Sequence, residues 1–174
     1  MPNFWKLVNQ VIRQADLIVL LLDARLIDET RNLEVEKKVQ KANKPLIYVI
    51  TKSDLVKKST LENISLKPAV FVSAKKHLGT TILRKKLLST GKKFYGGQDS
   101  FTIGVLGYPN VGKSSLINAM KGKRSAPTSP TSGFTKGIQE IRADNRLVFL
   151  DTPGVIPFKE KDTVFADWAP DEKN

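Results

Sequence analysis

The sequence contains no cysteine and a single histidine, His77. Disulfides and thiolate metal centres are thereby excluded, and one imidazole leaves little scope for a zinc site. Long apolar runs are missing too: Leu17 to Leu22, LIVLLL, falls far short of the roughly 18 to 20 residues a membrane-spanning helix needs. The N-terminal MPNFWKLVNQVIRQAD has neither the apolar core nor the small-residue cleavage site of a secretion signal. A cytoplasmic monomer without membrane contact is the expectation. Negative charge is the third shortage, with 17 Asp and Glu against 29 Lys and Arg and a formal net charge of +12. Such an excess favours a polyanionic partner, nucleic acid foremost, although lysine-rich surfaces are also common on proteins that bind none. Lysine pairs at 37–38, 57–58, 75–76 and 92–93, with Arg84-Lys85-Lys86, place most of the excess before residue 100.

What is present is a chain of 174 residues, 40% apolar and 26% charged, enough for a well-buried α/β core. Apolar runs without alternation, DLIVLLLDA, PLIYVI and PAVFVSA, read as parallel strands buried on both faces. RNLEVEKKVQKAN and HLGTTILRKKLLST read as helices, with a short STLENI segment between the second and third strands. GKKFYGGQDS reads as a connector. Beyond it, FTIGVLG is a strand, GKSSLINAMKG a helix, KRSAPTSPTSGFTKG a long loop, and IQEIRA with RLVFLD a hairpin around Asp144-Asn145. Six strands alternating with helices predict a three-layer, mostly parallel sheet.

GYPNVGKSS, residues 107 to 115, is the strongest chemical signal. A G-x-x-x-x-G-K-S stretch directly after a strand and opening a helix is the context of a phosphate loop. Gly107 and Gly112 let backbone amides converge on phosphate oxygens, Lys113 reaches the outer phosphates and Ser114 ligates magnesium. Asn110, Val111, Gly112, Lys113, Ser114 and Ser115 are the expected nucleotide contacts here. In FLDTPG, Asp151 can hold a magnesium-bound water and Gly154 can offer its amide to a third phosphate. Thr135, in the intervening loop, is the expected switch threonine, completing the magnesium set Ser114, Thr135 and Asp151; Thr128 and Thr131 have the same chemistry.

TKSD, residues 51 to 54, precedes the phosphate loop. The stem of Lys52 can lie along a purine, and the Asp54 carboxylate can accept from the N1-H and N2-H2 of guanine together, a donor pair adenine lacks. Taken alone, Ser53 or Asp54 starting a helix explains the tetrapeptide as well. The strand-end Ser73-Ala74-Lys75 shifts the balance, because the Ala74 amide can meet guanine O6. An ATP-using phosphate-loop class is correspondingly disfavoured.

Together, Thr51 to Asp54, Ser73 to Lys75, Gly107 to Ser115, Thr135 and Asp151 to Gly154 match the five GTPase motifs in the order four, five, one, two, three. That order resembles the circularly permuted GTPases of the YlqF/YawG family. LLLDARLIDETRN resembles the DAR segment of that family, and GFTKG its PGxTKG. The resemblance implies a P-loop NTPase G domain, GTP or GDP with Mg2+ as ligands, and ribosomal RNA or the large ribosomal subunit as partner. It also implies a C-terminal RNA-contacting domain beyond Asn174, so that a truncated chain is expected. The expected division is a base-recognition half at 1–89, a connector at 90–100, a phosphate and magnesium half at 101–156 and an exit segment at 157–174.

Lys113, Thr135, Gly154 and Asn110 are the candidate catalytic residues. Val155 stands where many GTPases place a water-orienting glutamine, so slow intrinsic hydrolysis is expected. In the family, an asparagine at the Asn110 position is linked to K+, whose charge can replace an arginine finger; the other reading of Asn110 is a turn-stabilising residue after Pro109. The catalytic N-terminal histidine of bacterial members has no counterpart here, and His77 reads as a surface residue. A nucleotide-regulated RNA- or protein-binding scaffold with incidental hydrolysis is the alternative function.

Overall fold

The computed structural model describes residues 4–121 and 137–152. In chain order, α1 (Phe4–Gln14) leads into β1 (Leu17–Asp23), then a one-turn α2 (Ile27–Thr30), α3 (Leu33–Lys41) and β2 (Leu46–Thr51). A 3-10 turn (Ser53–Leu55), α4 (Lys58–Glu62), β3 (Ala69–Phe71) and α5 (Thr80–Tyr95) complete the first half. The second half comprises β4 (Phe101–Leu106), α6 (Lys113–Met120), β5 (Gln139–Arg142) and β6 (Leu147–Asp151).

The six strands form one sheet in the order β3-β2-β1-β4-β6-β5. All neighbours are parallel except β5, which returns antiparallel along β6 through the turn at Asp144. The Asp144 carboxylate accepts the Arg146 and Leu147 amides in that turn, as an Asx-type hairpin turn should. Every residue of β1 is buried, which explains its unbroken apolar sequence: helices cover both faces and a strand lies on each side. The strand order reverses between β1 and β4. A crevice opens there at the carboxyl ends of the parallel strands, the usual ligand position in such sheets.

Three departures from the sequence reading have physical causes. The N-terminal segment forms α1, with Val8, Val11 and Ile12 buried at helical spacing. It packs against β4 at Gly104, where an added Cβ would meet Val11 Cγ1 at 2.7 Å. The next helix starts at Thr80 rather than His77, because Ser73 and Leu78 first exchange backbone hydrogen bonds and Gly79 turns the chain at φ +83°. At its other end α5 runs to Tyr95, well into the expected connector, so the link between the halves is 96–100 and not 90–100.

Gly91, read as the start of that connector, is instead a close-packing residue. A Cβ there would lie 2.7 Å from the Phe101 ring, and the helix stops only at Gly96 and Gly97, both at positive φ. The link is tied down by Asp16, whose Oδ2 accepts from Gln98 Nε2 at 3.0 Å and the Thr102 amide at 2.9 Å. Gly91→Ala should destabilise the domain by about 1–2 kcal/mol despite alanine's better helix propensity, because the buried ring must move. Urea denaturation checks it, and an unchanged or raised midpoint would contradict the packing.

Candidate nucleotide site

β4 delivers its last residue, Leu106, to a turn whose geometry needs its glycines. At Gly107 a Cβ would meet Val111 Cγ2 at 2.9 Å, and Gly112 caps α6 at φ +95°. Asn110 also takes a positive φ, +67°. The amides of Gly112, Lys113 and Ser114 donate to nothing among the described residues, leaving a cluster of donors at a helix start. Tyr108 is buried beneath the loop, and its hydroxyl accepts from Asn32 Nδ2 at 3.1 Å. Asn32 also caps α3 through the Glu34 and Val35 amides, so the loop is pinned to that helix start.

Lys113 is 7% exposed and lies along the end of β6. Its ammonium donates to the Thr152 carbonyl and sits 3.0 Å from Asp151 Oδ1. Among the described residues Asp151 Oδ1 has this ion pair but no hydrogen-bond partner, and the buried Thr152 hydroxyl has no hydrogen-bond partner. The donor set fits Mg2+, a hard cation commonly held by one carboxylate plus substrate phosphates: Asp151 and Ser114 line the same cleft. No cluster of three acidic, histidine or cysteine side chains placed to hold a metal ion exists among the described residues. Thr135, Gly154 and Val155 lie outside the described residues.

Thr51, Lys52, Asp54, Ser73, Ala74 and Lys75 line one cleft. Thr51 ends β2 with its hydroxyl 2.6 Å from the Val111 carbonyl, to which it donates, so it serves the phosphate loop directly. Lys52 is left-handed, at φ +57°, and its ammonium donates to the Asn110 carbonyl at 2.7 Å. Ser53 Oγ donates to the Val72 carbonyl at 2.8 Å, fastening this turn to the residue that follows β3. Asp54 is exposed, its carboxylate free of partners among the described residues. Ser73 is fully buried and its Oγ accepts the Lys76 amide, while the Ala74 amide donates to no described group. His77 is exposed.

Two adjoining clefts result. One is lined by Thr51, Lys52, Asp54, Ser73, Ala74 and Lys75, together with Gly112 and Ser115. The other is lined by Lys52, Asn110, Gly112, Lys113, Ser114, Ser115 and Asp151. Lys52, Gly112 and Ser115 belong to both, so the two clefts are continuous. Val111 is buried and contributes through its backbone.

Sequence reasoning assigned no role to Asp23, the last residue of β1. Its carboxylate is buried and takes two bonds from the Arg25 side chain, at 3.0 and 2.8 Å, and one from the Arg25 amide. Lys52 Nζ lies 3.3 Å from its Oδ2. Arg25 above all, with Lys52 adding, holds the carboxyl down to about 2 against the opposing effect of burial. An acidic residue closing an otherwise apolar central strand at the strand-order reversal was the available signal. Because its folded-state value is depressed, Asp23 stabilises the fold fully above the ordinary carboxylate value of 3.8, and this is lost as pH falls towards about 2. Unfolding free energies of wild type and Asp23→Asn, from urea denaturation, should therefore differ by a constant amount above about pH 5 and converge by about 2 kcal/mol on acidification.

The fold and site define the class: a P-loop G domain whose base-reading half precedes its phosphate loop. A family profile described as 50S ribosome-binding GTPase matches residues 102–169, starting at the strand before that loop. A GTP-binding protein of Methanocaldococcus jannaschii is 46% identical over 160 residues, covering 90% of this chain and 42% of that protein. The nuclear GTP-binding protein NUG1 of Saccharomyces cerevisiae is 34% identical, covering 86% of this chain and 34% of the relative. The GTPase grn1 of Schizosaccharomyces pombe is also 34% identical, covering 85% of this chain and 37% of the relative. GDP-bound YlqF from T. maritima superposes with a TM-score of 0.58 at 24% identity, over 88% of this chain and 59% of that one. The chain belongs to the circularly permuted GTP-binding proteins of the YlqF/Nug1/GNL3 type. It spans about a third to two-fifths of the curated relatives it matches. Among the described residues no helix is long and apolar enough to cross a membrane.

Proposed function

We propose that this chain is the nucleotide-binding part of a switch that hydrolyses GTP to GDP and phosphate and acts in assembly of the large ribosomal subunit. The carrying observation is the bond from Lys52 to the Asn110 carbonyl, which joins the base end and phosphate end into one site. Asp54 supplies the free carboxylate for the guanine N1-H and N2-H2, and the Ala74 amide the donor for O6. The amides after Gly112 and the Lys113 ammonium take the phosphates, offsetting charge on the departing β-phosphate oxygen as the γ-phosphoryl group passes to water. Mg2+ held by Ser114 and Asp151 would neutralise further phosphate charge. Thr135 and Gly154 complete the set as the switch threonine and the γ-phosphate sensor.

Intrinsic turnover is expected to be slow, near the roughly 10⁻⁴ per second of GTPases lacking an added arginine, because valine follows Gly154. The Asn110 side chain is exposed and makes no bond among the described residues, so it is available as a K+ ligand. K+ should then raise turnover over Na+, and Asn110→Ala should remove the difference. Equal rates in the two salts for wild type would sink the potassium role.

A ribosomal RNA partner is supported by the charge of α5, which holds Arg84, Lys85, Lys86, Lys92 and Lys93 and no acidic residue. Except for Arg84, which pairs with Asp144, these cations are exposed. The scaffold alternative draws on the same surface.

Two measurements test the proposal. Wild type should bind GDP and GTP well above adenine nucleotides, and Asp54→Asn should lose about a hundredfold in guanine affinity, two charge-assisted bonds' worth, while gaining xanthine nucleotide. Unchanged guanine preference would remove Asp54 from the base site. Co-sedimentation with large ribosomal subunits should depend on whether GDP or a non-hydrolysable GTP analogue is present. Binding indifferent to nucleotide would favour the scaffold.

A further inference from the structure

We infer that Asp23 is a positioning residue for guanine recognition: buried at the end of the central strand, it orients Lys52 so that the lysine spans from the base cleft to the phosphate loop. The inference rests on reading Lys52 as the residue that lies along the base.

Lys52 adopts a left-handed backbone conformation, φ +57° and ψ +32°, which an L-residue other than glycine, asparagine or aspartate rarely takes without support. Its flexible stem must also cross the site in one direction for its methylenes to cover a purine face. A single hydrogen bond to the Asn110 carbonyl leaves a four-carbon chain free to pivot. The Asp23 carboxylate, 3.3 Å from the same ammonium, supplies a second anchor. That anchor is fixed, because Asp23 is registered directly against Thr51 in the β1–β2 pair, one residue before Lys52. Its Oδ1 accepts the Arg25 backbone amide and its own amide donates to Thr30 Oγ1, so the carboxylate keeps its place without the Arg25 side chain.

The competing explanation makes Asp23 a local turn former, bonded to Arg25 two residues on, with Lys52 merely nearby. The two explanations separate in nucleotide binding. If Asp23 acts through Lys52, Asp23→Asn lowers GDP affinity about tenfold, and that loss largely vanishes in a Lys52→Met background, where there is no ammonium to position. Arg25→Gln removes the turn-forming side chain while keeping the carboxylate beside Lys52, and it should lower GDP affinity less than threefold even where it lowers thermal stability.

The experiment is calorimetric GDP titration of wild type, Asp23→Asn, Lys52→Met, the double variant and Arg25→Gln, each checked for folding by circular dichroism. Asp23→Glu, which keeps the charge and displaces it by one methylene, reads the same effect should the asparagine variant fold poorly. Additive losses in the double variant, a folded Asp23→Asn with wild-type affinity, or an Arg25→Gln loss equal to that of Asp23→Asn would each overturn the role. Failure of the underlying reading looks different: wild type itself would then not prefer GDP to ADP.

Discussion

The parallel pairing of β1 with β4 is the constraint on which the site depends. Leu17 to Leu20 register against Ile103 to Leu106, and this seam alone sets the end of the base-reading half beside the start of the phosphate loop. Across it run the contacts that make one site of two half-sites: the Thr51 hydroxyl on the Val111 carbonyl, Lys52 on Asn110, and Asn32 on Tyr108. These are side-chain groups on backbone oxygens or on each other, separated along the chain by about sixty residues or more. A change in the loop at Asn110 or Val111 is therefore felt first at the base reader, through bonds already formed.

The phosphate end shows how charge is held before a ligand arrives. Lys113 is nearly buried, and its positive charge is met by a carbonyl and a carboxylate at the end of β6. Burying an ammonium alone would be far costlier. Beside this pair, the buried Thr152 hydroxyl has no hydrogen-bond partner among the described residues. The base end is satisfied differently: Ser73 and Ser53 spend their hydroxyls on the backbone, while the Asp54 carboxylate and the Ala74 amide have no partner among the described residues.

Much of this was legible in the sequence because strand cores and glycine turns are local signals. Six strands, the hairpin at Asp144 and the phosphate loop followed from runs, punctuation and spacing. Gly91 misled because a glycine in a sequence marks either a turn or a close approach, and only the Phe101 ring across the gap distinguishes the two. α1 was overlooked because its apolar stripe is short and its mate, Gly104, lies about ninety residues away. Asp23 and the Asn32–Tyr108 bond were hidden for a related reason. Tyr108 for Asn32 and Lys52 for Asp23 are brought alongside by the sheet, and only Arg25, two residues from Asp23, is a local partner.

The buried central position of β1 also has a consequence for the order in which the protein comes into being. In a chain made from its N-terminus, β2 and β3 can pair beside β1 early, but the opposite edge of β1 waits for Ile103 to emerge, 86 residues after its partner Leu17. At translation rates of roughly 5–20 residues per second, that interval is about 4–17 seconds. For that time the nascent sheet presents an apolar, unpaired edge, the kind of surface that joins other chains. The permuted order thus places an interval with an unpaired β1 edge before the phosphate half appears.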